Sequence, residues 1–164
     1  MIKSLPRLIA IFLFASFTLY GSLKSFYNNK ITIESFTYEV KPNSSILDLY
    51  NGIYESNNFF EKSLFLLGIY LFDFRTIQAG EYLIDDSLFK VLTKMKLGET
   101  ITYKFVISDG MNKFDLSSYI NTLKLNNDCE DFSCINLIND SIEGLLLPNT
   151  YFYKKNTNLS LLLN

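Results

Sequence analysis

Apolar residues occur first in this chain as one unbroken block and only later as periodic patterns. The block is Leu8 to Leu23, LIAIFLFASFTLYGSL, without a charged residue. At about 1.5 Å rise per residue it spans roughly 24 Å as a helix, a little short of a bilayer core of about 30 Å. Leu5 and Pro6 extend it, and Arg7 and Lys24 can snorkel from either end. Lys3 and Arg7 precede the block and favour an inside N-terminus; Lys24 and Lys30 beyond it weaken that vote without reversing it. The rival readings are a cleaved signal peptide, for which Tyr20-Gly21-Ser22 is a poor cleavage match, and a buried helix of a soluble domain. The first two put the rest of the chain outside the cytoplasm.

After the block the pattern becomes periodic. Residues 25–31 read as a short polar stalk. Thr32 to Val40, with Phe36, Tyr38 and Val40 alternating, predicts a strand. Lys41-Pro42-Asn43 is a turn, and Ser44 or Ser45 can cap a helix whose apolar face is Ile46, Leu47, Leu49, Tyr50, Ile53 and Tyr54. Asn57-Asn58 breaks it. A second helix carries Phe60, Leu64, Leu67 and Tyr70; it is apolar nearly all round over 61–70, so core burial is the default and a partner or membrane surface the alternative. Residues 77–84 read as a turn into a strand. Ser87 opens a helix that Gly98 closes. Thr100 to Ile107 is the clearest strand, Ser108-Asp109-Gly110 a turn, Phe114 to Leu125 an amphipathic helix, and Phe132 to Asn139 a short one. Glu143 to Tyr153 reads as irregular because Pro148 interrupts it, and residues 156–164 as the first turns of a helix whose apolar face, Leu159, Leu162 and Leu163, has no evident partner.

Composition narrows the chemistry. The chain has 164 residues, one domain's worth or two very small ones, and 48% of them are hydrophobic, enough to build a core. Charges of both signs are mixed, with a net charge of -2, which argues against a nucleic-acid partner. There is no His, so His-based triads, proton shuttles and metal sites are excluded. Cys129 and Cys134 are the only cysteines, too few for a structural zinc site; they are read either as a local disulfide or as two free thiols. Asp85-Asp86 reads as a solvated helix start.

The order β-α-α-β-α-β-α predicts an α+β fold. Its first part, about residues 32–84, has the length and order of a LysM-like module. The stretch SIEGLLLPNTYFY, Ser141 to Tyr153, resembles a signature of the endolytic lytic transglycosylases, the YceG-like (MltG) family, which runs roughly EG-x-x-x-P-D-T-Y. Glu143, Gly144, Pro148, Thr150 and Tyr151 match, and Asn149 stands where Asp is usual. Upstream, Ala79-Gly80-Glu81-Tyr82 resembles the family's A-G-x-Y strand entry, Leu97-Gly98 its helix end, and Phe105 to Met111, FVISDGM, its strand and turn with Asp109 in place of Glu.

The resemblance implies a division into an anchor (1–24), a stalk (25–31), a LysM-like α+β module (32–98) and the beginning of a mixed α/β catalytic domain (99–164). It implies cleavage of the MurNAc-GlcNAc bond inside nascent peptidoglycan strands, leaving 1,6-anhydro ends. It also implies no cofactor or metal, an inner-membrane location with the body in the periplasm, and peptidoglycan synthases as candidate protein partners. The family's main catalytic Glu is expected in an S-I-I-E-K-E-like segment beyond Asn164, which makes the catalytic residue unknown here and the chain an expected shortened form. Three readings of Glu143 stand: a loop-holding hydrogen-bond acceptor, a support in the glycan cleft, or the acid itself. The alternative function is a non-catalytic, membrane-tethered glycan-binding or cell-wall scaffold protein.

Overall fold

A computed structural model describes residues 5–31, 34–54, 58–129, 132–134 and 147–163. It divides the chain into two units, residues 1–99 and 100–164. The order in the first is α1 (Leu5–Asn28), β1 (Phe36–Val40), α2 (Ile46–Ile53), α3 (Phe59–Leu71), β2 (Gly80–Ile84) and α4 (Leu88–Leu97). In the second it is β3 (Thr102–Ile107), α5 (Lys113–Ile120), β4 (Asn149–Lys154) and α6 (Leu159–Leu163).

In the first unit, β1 and β2 form an antiparallel ladder, Phe36 opposite Ile84 and Val40 opposite Gly80. The two helices between them, α2 and α3, complete a β-α-α-β unit, and α4 follows. The inward faces meet in a core that includes Tyr50, Phe65, Tyr82, Leu88 and Leu92. Helix ends are set by local chemistry. Ser45 accepts from the Asp48 N–H while the Asp48 carboxylate accepts from the Ser45 N–H, a capping box on α2. Gly98 closes α4 with a left-handed φ of 71°, where a side chain would be strained and would run into Gln78.

α1 is long and apolar enough to cross a membrane, and from Pro6 to Ser22 it is exposed. It does not end at a stalk. Residues 25–28 continue the helix, and Leu23 and Tyr27 are buried in the first unit's core. The Tyr27 hydroxyl donates to the Phe65 carbonyl of α3, and its ring lies against Gly68, which leaves no room for a Cβ there. A polar-looking segment was drawn into the helix because its aromatic residues find partners about forty positions away in the chain. Asp85 and Asp86 are not merely solvated: Lys94 and Lys90 of α4 pair with them at 3.0 and 2.8 Å.

In the second unit, β3 pairs antiparallel with β4, Thr102 opposite Lys154 and Ile107 opposite Asn149. β4 occupies residues expected to be irregular. Pro148 does not interrupt it because it sits just before the first ladder residue, where its missing N–H costs no strand bond. Phe105, Leu116, Ile120, Tyr153 and Leu159 form the core. Leu159, expected to lack a partner, is 1% exposed, and Leu162 and Leu163 pack against the same cluster. α5 ends at Ile120 rather than Leu125, its polar Asn121-Thr122 continuing as turns bonded to Ser117 and Tyr119.

Candidate functional site

Two of the segments that carry the family resemblance meet in the second unit. FVISDGM supplies β3 and the turn after it; PNTYFY supplies β4. The ladder register brings them side by side, so that Ser108-Asp109-Gly110 and Pro148-Asn149 lie at the same end of the sheet. Gly110 takes a φ of 75° in that turn. Asn149 is at the edge, its side-chain oxygen accepting from the Thr150 N–H at 2.7 Å. Thr150 points outward and is exposed. Tyr151 is half-buried, its ring 5.9 Å from that of Phe105 and its hydroxyl donating to the Leu147 carbonyl at 3.0 Å. Tyr151 thus ties the residue before Pro148 to the strand after it, and fixes the approach to the ladder.

Glu143 and Gly144 lie outside the described residues, as do most of the positions expected as a helix at 132–139. At the described rim the carboxyl group is that of Asp109, which is exposed. The described part of this rim can position a chain.

Behind the rim the unit is stitched by polar contacts. Cys129 and Cys134 are joined as a disulfide, with their Cα atoms 5.2 Å apart. Asp128 accepts from both the N–H and the hydroxyl of Ser160, at 3.0 and 2.6 Å, and these bonds hold its carboxyl below the usual range. The Lys124 ammonium donates to the Tyr103 hydroxyl at 2.9 Å.

The first unit holds a cleft of about 420 Å³ between the end of β1 with its Lys41-to-Ser45 turn and the segment 75–79 leading into β2. Its floor is apolar, from Val40, Leu49 and Ile77, and its rim carries Tyr38, Asn43 and Arg75. Asn43 adopts a left-handed φ of 63°, turning the chain tightly at the mouth. The Tyr38 hydroxyl donates to the Asp48 carbonyl at 3.2 Å, and its ring lies over Gly52. Burial, with the Asp48 charge nearby, pushes the Tyr38 phenol up, so it stays neutral at ordinary pH. Arg75 reaches Asp73 at 3.2 Å, and its guanidinium stacks over the Tyr70 ring. An aromatic face, an apolar floor and hydrogen-bonding groups at the rim suit a neutral polyhydroxylated ligand. The sequence marked the Lys-Pro turn but not the cleft, which depends on Arg75 and Ile77 coming back to that turn through the β1–β2 ladder.

An apolar helix long enough to cross a membrane leads into a β-α-α-β unit, and a strand ladder built from two signature segments follows, which defines a mixed α+β protein. The chain belongs to the YceG-like family, which it matches over residues 37–164. Among solved structures it is similar to a yceG-like protein from Listeria monocytogenes, at 22% identity and a TM-score of 0.36, over 76% of this chain and 50% of that one. The chain therefore spans about half the length of that protein. No curated protein matches it significantly.

Proposed function

We propose that this chain is the tethering and glycan-facing part of a peptidoglycan lytic transglycosylase. Membership of the YceG-like family over residues 37–164 carries the reading. The exposed apolar length of α1 supports a single-pass anchor in a bacterial inner membrane, with the body in the periplasm. The β-α-α-β unit is read as LysM-like, and its cleft as a subsite for the sugar rings of a glycan strand.

In the proposed reaction a carboxylic acid protonates the glycosidic oxygen between MurNAc and GlcNAc. The resulting carboxylate then takes the proton of the MurNAc C6 hydroxyl, whose oxygen attacks C1 of the same sugar. The C1–oxygen bond to the leaving sugar breaks, a 1,6-anhydro ring forms, and no water is consumed. Residues 1–164 contain no S-I-I-E-K-E-like segment, so the role proposed for them is to hold the strand: the cleft grips it, and the β3–β4 rim with Asn149, Thr150 and Tyr151 borders it. Glu143 is proposed as a support for that rim.

The test is product analysis. The full chain in detergent micelles, alone and with a separately supplied S-I-I-E-K-E-bearing half of a family member, is incubated with purified glycan strands. Formation of 1,6-anhydro ends in the combined sample, reduced by Glu143→Gln, is the expected result. Strands that stay intact in both samples would contradict the transglycosylase reading and leave the glycan-binding scaffold.

A further inference from the structure

The exposed part of α1 is too short for the membrane it enters. Leu23 is buried in protein, which leaves Leu8 to Ser22 as the charge-free face open to lipid. That is about 22 Å of helix against a hydrocarbon core of about 30 Å. The exposed charge-free stretch stops where the first unit begins, and there the protein surface is aromatic on both flanks of α1. On one flank Phe60 of α3, 57% exposed, shares a groove with Gly21, Ser22 and Ser25. On the other, Phe72 and Phe89, 36% and 40% exposed, share a groove with Tyr20 and Lys24. Phe72 also packs edge-on against Tyr27 and against Phe89, so this second flank is fixed to α1 and not a loose patch.

We propose that this aromatic collar of the first unit, Phe60 on one side and Phe72 with Phe89 on the other, is seated in the interface of the bilayer that α1 spans. Two observations identify the occupant as that bilayer: the collar is continuous with the lipid-facing surface of α1, and it supplies apolar surface at the level where the helix runs out. Aromatic side chains favour this zone, and Lys24 among them can extend its ammonium to the headgroups. Glu61 and Asn29, which line the Phe60 groove, place that flank at headgroup depth rather than in the hydrocarbon. The consequence is a first unit held against the membrane in one pose rather than swinging on a tether. The inference rests on reading α1 as a membrane span.

The chain has no Trp, so one introduced indole reports alone. Phe14→Trp, Phe60→Trp and Phe89→Trp are made singly in the full chain and reconstituted into phosphatidylcholine–phosphatidylglycerol vesicles. Emission is followed with lipids brominated near the headgroup or deeper in the chain, and with aqueous iodide. Phe14→Trp should be quenched by deep bromine. Phe60→Trp and Phe89→Trp should lose most of their emission to shallow bromine and resist iodide. If Phe14→Trp responds to bromine while Phe60→Trp and Phe89→Trp respond only to iodide, the collar is in water and the proposal falls with the span intact. If Phe14→Trp is itself unquenched by bromine, the membrane span falls and the collar with it.

Discussion

The two units of this chain reach stability by different means. The first buries side chains from every one of its elements, including the base of α1, in one aromatic and aliphatic cluster. The second has, among its described residues, a smaller cluster on the β3–β4 ladder, reinforced by the Cys129–Cys134 disulfide and the Asp128–Ser160 bonds. The apolar helix α1 is joined to the unit with the larger core. The segments that form the β3–β4 rim lie in the unit with the smaller one. Perturbations should therefore separate the two: apolar truncation should damage the first unit most, while loss of cross-links should be felt only in the second.

The largest effect is expected from Phe65→Ala. Phe65 is fully buried between Tyr50 and the Tyr27 end of α1, and removing its ring should cost about 3–5 kcal/mol. Hydrogen exchange read by mass spectrometry should show β1 and β2 losing protection while β3 and β4 keep theirs. Phe105→Ala, also at a fully buried position, should give the reverse pattern. Equal loss in both units from either change would mean that they unfold as one body.

A smaller effect is expected from replacing both cysteines. Opening a loop this short should cost about 2 kcal/mol, with model-dependent origin. Cys129→Ser with Cys134→Ser should lower the denaturation midpoint of the second unit and leave the first unchanged; an unchanged second unit would show that its ladder and core suffice. Next comes Ser45→Ala, which removes the α2 cap at the mouth of the first unit's cleft and should cost about 1 kcal/mol. It should fray α2 and weaken glycan binding together, as seen in exchange rates and a binding titration.

The smallest effect is one of pH, and each unit has its own reporter. Ser45 holds the Asp48 carboxyl below its usual range, and Ser160 does the same for Asp128. Because both folded-state values are lowered, their contributions are complete above the ordinary carboxylate range. They disappear as pH falls through the lowered values. Asp48→Asn should flatten the acid limb of the first unit's stability curve, and Asp128→Asn that of the second; crossed effects would break the separation.

The features legible in the sequence were those fixed locally. The run TITYKFVI marked β3, Ser44 or Ser45 marked the start of α2, and Gly98 marked the end of α4. The features that were not legible depend on distant partners. Tyr27 looked like part of a polar stalk because nothing near it in sequence tells that α3 will receive it. β4 was hidden by Pro148, although Tyr151 and Tyr153 inward with Thr150 and Phe152 outward is a strand pattern that the proline only precedes. The segments of the β3–β4 rim could be picked out singly by resemblance, but their pairing, Ile107 opposite Asn149, is a product of the ladder. The cleft needed the same kind of closure, with Arg75 returning to the Lys41-to-Ser45 turn.

The proposed function has this chain bind peptidoglycan glycan strands. The most direct measurement is co-sedimentation of the full chain in detergent with insoluble peptidoglycan, compared with Tyr38→Phe and Arg75→Ala at the cleft rim. Retention of the unaltered chain, reduced several-fold by Arg75→Ala and less by Tyr38→Phe, with both variants folded, is the predicted result. A chain that stays in the supernatant, or is retained equally whatever the cleft carries, would contradict it.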